Sequence, residues 1–211
     1  ESYAAIHQTN PKDWDSIWRH LPGVIAGKGE CKVGIQAVVL PENYENLHHL
    51  ADKARQAGAS YLVLKPYSQA TFSLVQRGDI DYRPIHSTLL EIRDKYSTKD
   101  FEVVVRTNAI TNEITGKHNF DKCRATPFMW VYLMADGRVF TCSAHLLDPK
   151  FCIGNINEQT FKEIWEGPER KKQWEMMKEF DIHNCRLSCR MAQVNTYLEQ
   201  LDQKVPHANF I

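Results

Sequence analysis

The sequence has no segment apolar enough to cross a bilayer. Its most apolar runs, such as IQAVVL and MWVYLM, are short, whereas a spanning helix needs about twenty apolar residues. It has no net charge, with 26 basic and 26 acidic residues. Neither a basic stretch nor an acidic tail stands out, so the electrostatic footprint of a nucleic-acid binder is missing. The opening residues ESYAAIHQ have no signal-peptide character. They also lack an initiating Met and begin as though inside a helix, so the expectation is a piece of a longer, cytoplasmic protein. There is no internal repeat and no low-complexity tract. Without a secretory signal, the six cysteines lose the main support for a disulfide reading.

What remains is a chain of 211 residues, 43% hydrophobic and 25% charged. That is ordinary for a globular protein and long enough to bury a core without covalent staples. The first half alternates helix and strand. PKDWDSIWRHL spaces Trp14, Ile17, Trp18 and Leu21 as one helical face. CKVGIQAVVL and SYLVLKPY read as strands buried on both faces, stopped by Pro41 and Pro66. ENYENLHHLADKARQAG reads as an amphipathic helix ended by Gly58. After a polar loop, PIHSTLLEIRDKYS reads as a helix and FEVVVRT as a third strand. Strand–helix–strand units of this size predict right-handed crossovers and a parallel sheet. Near residue 107 the sequence turns polar, in NAITNEITGKHNFDK. The predicted boundary therefore separates residues 1–106 from 107–211. The second part contains a β-hairpin with Asp136-Gly137 at its turn, a helix capped by Asn157, and a last helix in CRMAQVNTYLEQL.

The second part is organised by its thiols. Cys123 precedes the hairpin and Cys142 ends it, while Cys185 and Cys189 form a C-x3-C turn before the last helix. A short turn folds two thiolates toward one centre. Two from the hairpin and two from the turn make a four-thiolate site that suits Zn²⁺ or an iron–sulfur cluster. Cys31 and Cys152 are expected as buried packing residues. Trp130, Trp165 and Trp174 are expected in the core.

Thirteen residues separate Cys123 from Gly137 and four separate Gly137 from Cys142. This C-x(n)-G-x4-C pattern, followed distantly by paired cysteines, resembles the auxiliary-cluster domain of radical S-adenosylmethionine enzymes. That domain is called SPASM in its seven-cysteine form and Twitch when truncated to one cluster. GNINEQTFKEIWEGPERKKQ resembles the segment between the cysteine sets. VGIQAVVLPENYENLHHLADKARQAGASYLVLKPY resembles the second half of the partial (β/α)6 barrel of that superfamily, and ESYAAIHQTNP the helix after its fourth strand. The resemblance implies an α/β fold: half of a partial (β/α)6 barrel with parallel strands, then a small α+β domain with a hairpin and helices around a metal cluster. It further implies one auxiliary [4Fe–4S] cluster on Cys123, Cys142, Cys185 and Cys189. The C-x3-C-x2-C motif that holds the S-adenosylmethionine-cleaving cluster is absent. S-adenosylmethionine and a second [4Fe–4S] cluster are thus expected in an intact enzyme that includes the N-terminal half of the barrel.

By the same resemblance the auxiliary cluster serves as electron acceptor while a small polar molecule or a peptide is oxidised. A flavodoxin or ferredoxin is the expected reductant; no nucleic acid or membrane partner is expected. In parallel-strand barrels, functional groups gather at the C-terminal ends of strands. Lys65 and Arg106 are candidate catalytic residues on that ground, and Gln36 with Lys65 candidate cofactor-binding residues. His145, three past Cys142, is a candidate donor to a cluster sulfur. The alternative reading of the four thiols is a structural, non-catalytic zinc module with four cysteine ligands.

Overall fold

A computed structural model describes residues 2–69, Leu74, Arg77 and 80–203. Most of the polar loop expected after Pro66 lies outside these residues. The chain divides into two compact units: residues 1–67 with 79–115, and residues 68–78 with 116–211.

In the first unit, α1 (Ser2–His7) and α2 (Lys12–Ala26) precede a parallel sheet of β1 (Gly34–Val39), β2 (Tyr61–Pro66) and β3 (Glu102–Val105), in that spatial order. The crossovers contain α3 (Leu47–Gln56) and α4 (Arg83–Tyr96). Strand alternation sorts the side chains. Ile35 lies beside Leu62 and Leu62 beside Val103; Ala37 lies beside Leu64 and Leu64 beside Val105. This face packs on Ala51 and Ala54 of α3 and on Leu89 and Ile92 of α4. Each fully buried Leu or Ile there contributes about 1.5–3 kcal/mol. The other face carries Gln36, Val38, Val63 and Lys65, which are half-buried or exposed. The strands are therefore closed on one face only, not on both as their apolar composition predicts. On α2, Trp14 meets Trp18 edge-on at 5.2 Å, and Trp18 packs against the core with Lys53 Nζ 5.1 Å from its ring centre. Ile17, expected on the same face, is 44% exposed.

Tyr82 joins the C-terminal ends of two strands. Its buried hydroxyl donates to the Val39 carbonyl at 3.2 Å and accepts from the Tyr67 amide at 2.7 Å. Tyr82→Phe is expected to cost about 1–3 kcal/mol, because it removes the one hydroxyl that bridges the Val39 carbonyl and the Tyr67 amide. A fall in the urea midpoint, with faster hydrogen exchange at the Tyr67 amide, checks this.

The polar stretch after residue 107, expected to mark the domain boundary, begins as a helix. α5 (Thr107–Thr115) follows β3 directly, its Ile110 fully buried in the sheet core. The first unit thus runs to Thr115, because two apolar positions, Ile110 and Ile114, suffice to seat α5.

The second unit contains an antiparallel sheet of β4 (Tyr132–Leu133), β5 (Arg138–Phe140) and β6 (Cys152–Asn155), in that order. The predicted hairpin is present, and β6 is an addition to it. The central strand β5 is buried on both sides. Val139 packs with Ile153 and Ile164, and Phe140 with Phe151 and Met177. The hairpin turn is closed by the Gly137 amide donating to the Met134 carbonyl at 2.9 Å. Gly137 has φ +85°, and a Cβ there would sit 2.4 Å from both Asn155 Oδ1 and Asn157 Nδ2. Gly137→Ala is expected to cost more than the 1–2 kcal/mol or so of the left-handed backbone alone. The clash dislodges both asparagines, and a lower thermal midpoint is the expected readout.

Three helices follow: α6 (Phe161–Glu166), α7 (Pro168–Lys178) and α8 (Ala192–Asp202). Thr160, not Asn157, caps α6. The Glu163 amide donates to Thr160 Oγ1 at 3.3 Å, and the Thr160 amide donates to the Glu163 carboxylate at 2.8 Å, a reciprocal capping box. Asn157 instead donates its side-chain amide to the Asp136 carbonyl at 3.0 Å, which fixes the hairpin turn. No helix among the described residues is long and apolar enough to cross a membrane.

Candidate metal centre

Cys123, Cys142, Cys185 and Cys189 gather in the second unit, each as a half-buried free thiol. Cys123 and Cys189 pack with Phe180 against Phe120, Ile182 and Ala192. Cys123 also packs with Cys142, Cys152 and Phe180 against Phe140, Phe151 and Met177. Cys123 and Phe180 therefore join the two apolar clusters.

Each thiol-bearing segment has its own fixing device. Cys142 leaves β5 and meets the backbone amides of Ala144 and His145. Arg186, next to Cys185, donates a guanidinium N–H to the Ser143 hydroxyl, next to Cys142, and so ties the two loops together. The Met191 amide donates to the Cys189 sulfur at 3.4 Å. Cys123 is held from α8. Asn195 is fully buried, its Oδ1 accepts from the Arg124 and Ala125 amides at 2.7 Å each, and its Nδ2 lies 3.5 Å from the Cys123 sulfur. One turn on, Glu199 accepts from the Asp121 amide at 3.0 and 3.2 Å and pairs with Arg124 at 2.9 Å. Asp202, one turn further, pairs with Arg124 at 2.6 Å.

The thiols share one electrostatic field. Burial, then the charges of Cys189, Cys142 and Cys123, push the Cys185 thiol up to about 12, against a smaller lowering by Arg186. Burial likewise raises Cys142, with Cys189 and Cys123 adding to it and the Ala144 and His145 amides opposing it. With both Cys142 and Cys185 pushed up, a cation among the sulfurs is what would favour their thiolate forms. A polycationic iron–sulfur core meets that requirement, so the donor set fits such a group. Among the described residues no three His, Cys, Asp or Glu side chains close to the spacing of a single-ion cage, in which sulfurs at about 2.3 Å from one metal must nearly touch.

Other expectations are corrected. Cys31 is exposed and lies before β1, not buried within it. Cys152 is half-buried and opens β6, apolar in its surroundings as expected. The His145 ring stacks on Phe151 at 4.3 Å, and its Nε2 has no partner among the described residues. The contact of His145 with the Cys142 sulfur comes from its backbone amide. Trp174 is 39% exposed, so it is no core residue; Trp165 lies under the Arg170 guanidinium, 3.7 Å from ring centre to carbon.

In the first unit, Lys65 is the penultimate residue of β2, beside Val38, and half-buried. Arg106 is exposed and follows β3, its amide donating to the Leu64 carbonyl at 3.0 Å. Gln36 is exposed, beside Val63. Register places Gln36 and Lys65 on the sheet face opposite the helices. Asn195 and Glu199 were not anticipated. Their four-residue spacing reads as an ordinary polar helix face, and their partners lie 70 to 78 residues away.

The SPASM family, described as an iron-sulfur cluster-binding domain, matches residues 123–190. No curated protein matches the chain in sequence. Among solved structures the chain is similar to the crystal structure of Streptococcus suis SuiB, with a TM-score of 0.58 and 16% identity, over 79% of this chain and 40% of that one. It thus spans well under half the length of that protein and shares its fold over that span. Cys123, Cys142, Cys185 and Cys189 all fall inside the stretch that matches this iron–sulfur cluster-binding family.

Proposed function

We propose that this chain is the auxiliary-cluster half of a radical S-adenosylmethionine oxidoreductase or maturase, with one [4Fe–4S] cluster held by Cys123, Cys142, Cys185 and Cys189. The observation that carries the reading is the set of four half-buried thiols in one shared field, within a match to an iron–sulfur domain. When bound, a cluster ligated by four cysteines has no open iron and supplies one-electron acceptance, not substrate binding. The chain's own residues set its conditions. Phe140, Phe151 and Phe180 exclude water, and the amides of Ala144, His145 and Met191 face sulfurs. Lys65 and Arg106, at the C-terminal ends of parallel strands, are suited to bind an anionic group of substrate or cofactor, with Gln36 on the cofactor side. The oxidised substrate is a small polar molecule or a peptide. The intact protein works with the N-terminal half of the barrel and a flavodoxin- or ferredoxin-type reductant. The zinc reading is less favoured, because the match over residues 123–190 is to an iron–sulfur cluster-binding family.

Anaerobic purification followed by metal analysis tests this. About four iron and four sulfide per auxiliary site, with broad visible absorbance, is the expected result. A colourless protein with one zinc per chain, bleached by none of the usual reductants, overturns it in favour of the structural module.

A further inference from the structure

The Cys123 sulfur has both a side-chain amide and a hydroxyl beside it. Asn195 Nδ2 lies 3.5 Å from it and Thr126 Oγ1 3.3 Å. Both residues are buried, Asn195 completely and Thr126 to within 5%. Asn195 is also fixed in orientation. Its Oδ1 accepts two consecutive backbone amides at 2.7 Å, from Arg124 and Ala125. An oxygen is required on that side, so the other arm must be the NH₂ group. The donor is thereby aimed at the sulfur by the same backbone that carries it. A buried side chain with every polar atom committed around one cysteine is arranged for that cysteine, not merely tolerated beside it.

We propose that Asn195 is a positioning residue that sets the reduction potential of the auxiliary cluster, through an N–H donated to the Cys123 sulfur. This inference rests on the cluster reading above. A hydrogen bond to a ligating sulfur draws electron density from it and stabilises the more negative, reduced form, so it raises the potential. The apolar walls strengthen the effect, since no water competes for the sulfur. Thr126 assists. Its hydroxyl accepts from a free thiol and turns to donate to a thiolate.

Asn195→Asp separates the two arms. It keeps an oxygen for the two amides and removes the donor, placing a negative charge near the sulfur at alkaline pH, where the carboxyl is ionised. In an EPR-monitored redox titration of the anaerobically purified holoprotein, the reduced-to-oxidised ratio of the auxiliary cluster at a fixed solution potential is expected to fall about tenfold, equivalent to 59 mV for a one-electron couple. A purely structural role for Asn195 would alter cluster occupancy but leave the potential of the remaining clusters unmoved. A loaded Asn195→Asp variant with the wild-type potential overturns the inference and leaves the cluster reading intact. Wild-type protein that contains no iron overturns the cluster reading and this inference with it. If the variant retains no cluster, pulsed EPR on reduced wild-type protein decides. With heavy nitrogen in the asparagine side-chain amides, a nitrogen coupling to the cluster is expected, and its absence overturns the inference.

Discussion

Cys185→Ala is expected to empty the auxiliary site. Removal of a ligand should lower cluster affinity by more than the 10–100-fold or so typical of losing an outer partner of a metal site. The effect is large because Cys185 is the thiol most burdened by its neighbours, raised to about 12 by burial and by Cys189, Cys142 and Cys123. Its loss removes one quarter of the charge that retains a polycation. Under the proposed function, 5′-deoxyadenosine release by the whole enzyme should continue while oxidised product per 5′-deoxyadenosine falls. Folding must be followed separately by circular dichroism, because metal binding and folding are coupled in such domains. A folded, cluster-free variant that keeps the wild-type product ratio would show that the cluster is structural and that the electron leaves by another route.

The second large effect concerns stability. Glu199→Ala is expected to destabilise the second unit by about 3 kcal/mol, the low end for breaking a buried ion pair. Glu199 is only 9% exposed, and its carboxylate serves both the Asp121 amide and Arg124. Its removal takes the acceptor from the Asp121 amide and leaves Arg124 with one carboxylate partner. That partner, Asp202, is 65% exposed. Asp202→Asn should therefore cost no more than about 1 kcal/mol, and less at high salt. Paired denaturation curves distinguish the two, and equal losses would refute the burial argument.

The parallel sheet was legible because VGIQAVVL and SYLVLKPY are β-branched and aliphatic runs that end at prolines, a local signal that tertiary contacts reinforce. The hairpin was legible from Asp136-Gly137, since a left-handed backbone at φ +85° favours glycine. β6 was missed because Cys152–Asn155 holds Gly154 and only one fully buried aliphatic, Ile153. α5 was missed because its polar residues outnumber Ile110 and Ile114, and two anchors on a prepared sheet decide the matter. Four of the candidate ligands could be picked out by spacing, yet nothing local marks Asn195 and Glu199. Their role exists only once α8 lies along residues 121–125. Cys31 shows the converse error: a small apolar residue beside a strand was read as buried, and it is exposed.

The support of Cys123 from α8 has a consequence for synthesis and proteolysis. A nascent chain that has emerged as far as Arg190 already displays all four thiols and the full stretch that matches the cluster-binding family. It lacks Asn195, Glu199 and Asp202, so the segment bearing Cys123 has neither its amide acceptor nor its ion pairs. Cluster insertion should then wait for α8 to leave the ribosome. Under the proposed cluster assignment, a protease that trims α8 would release iron without removing a single ligand.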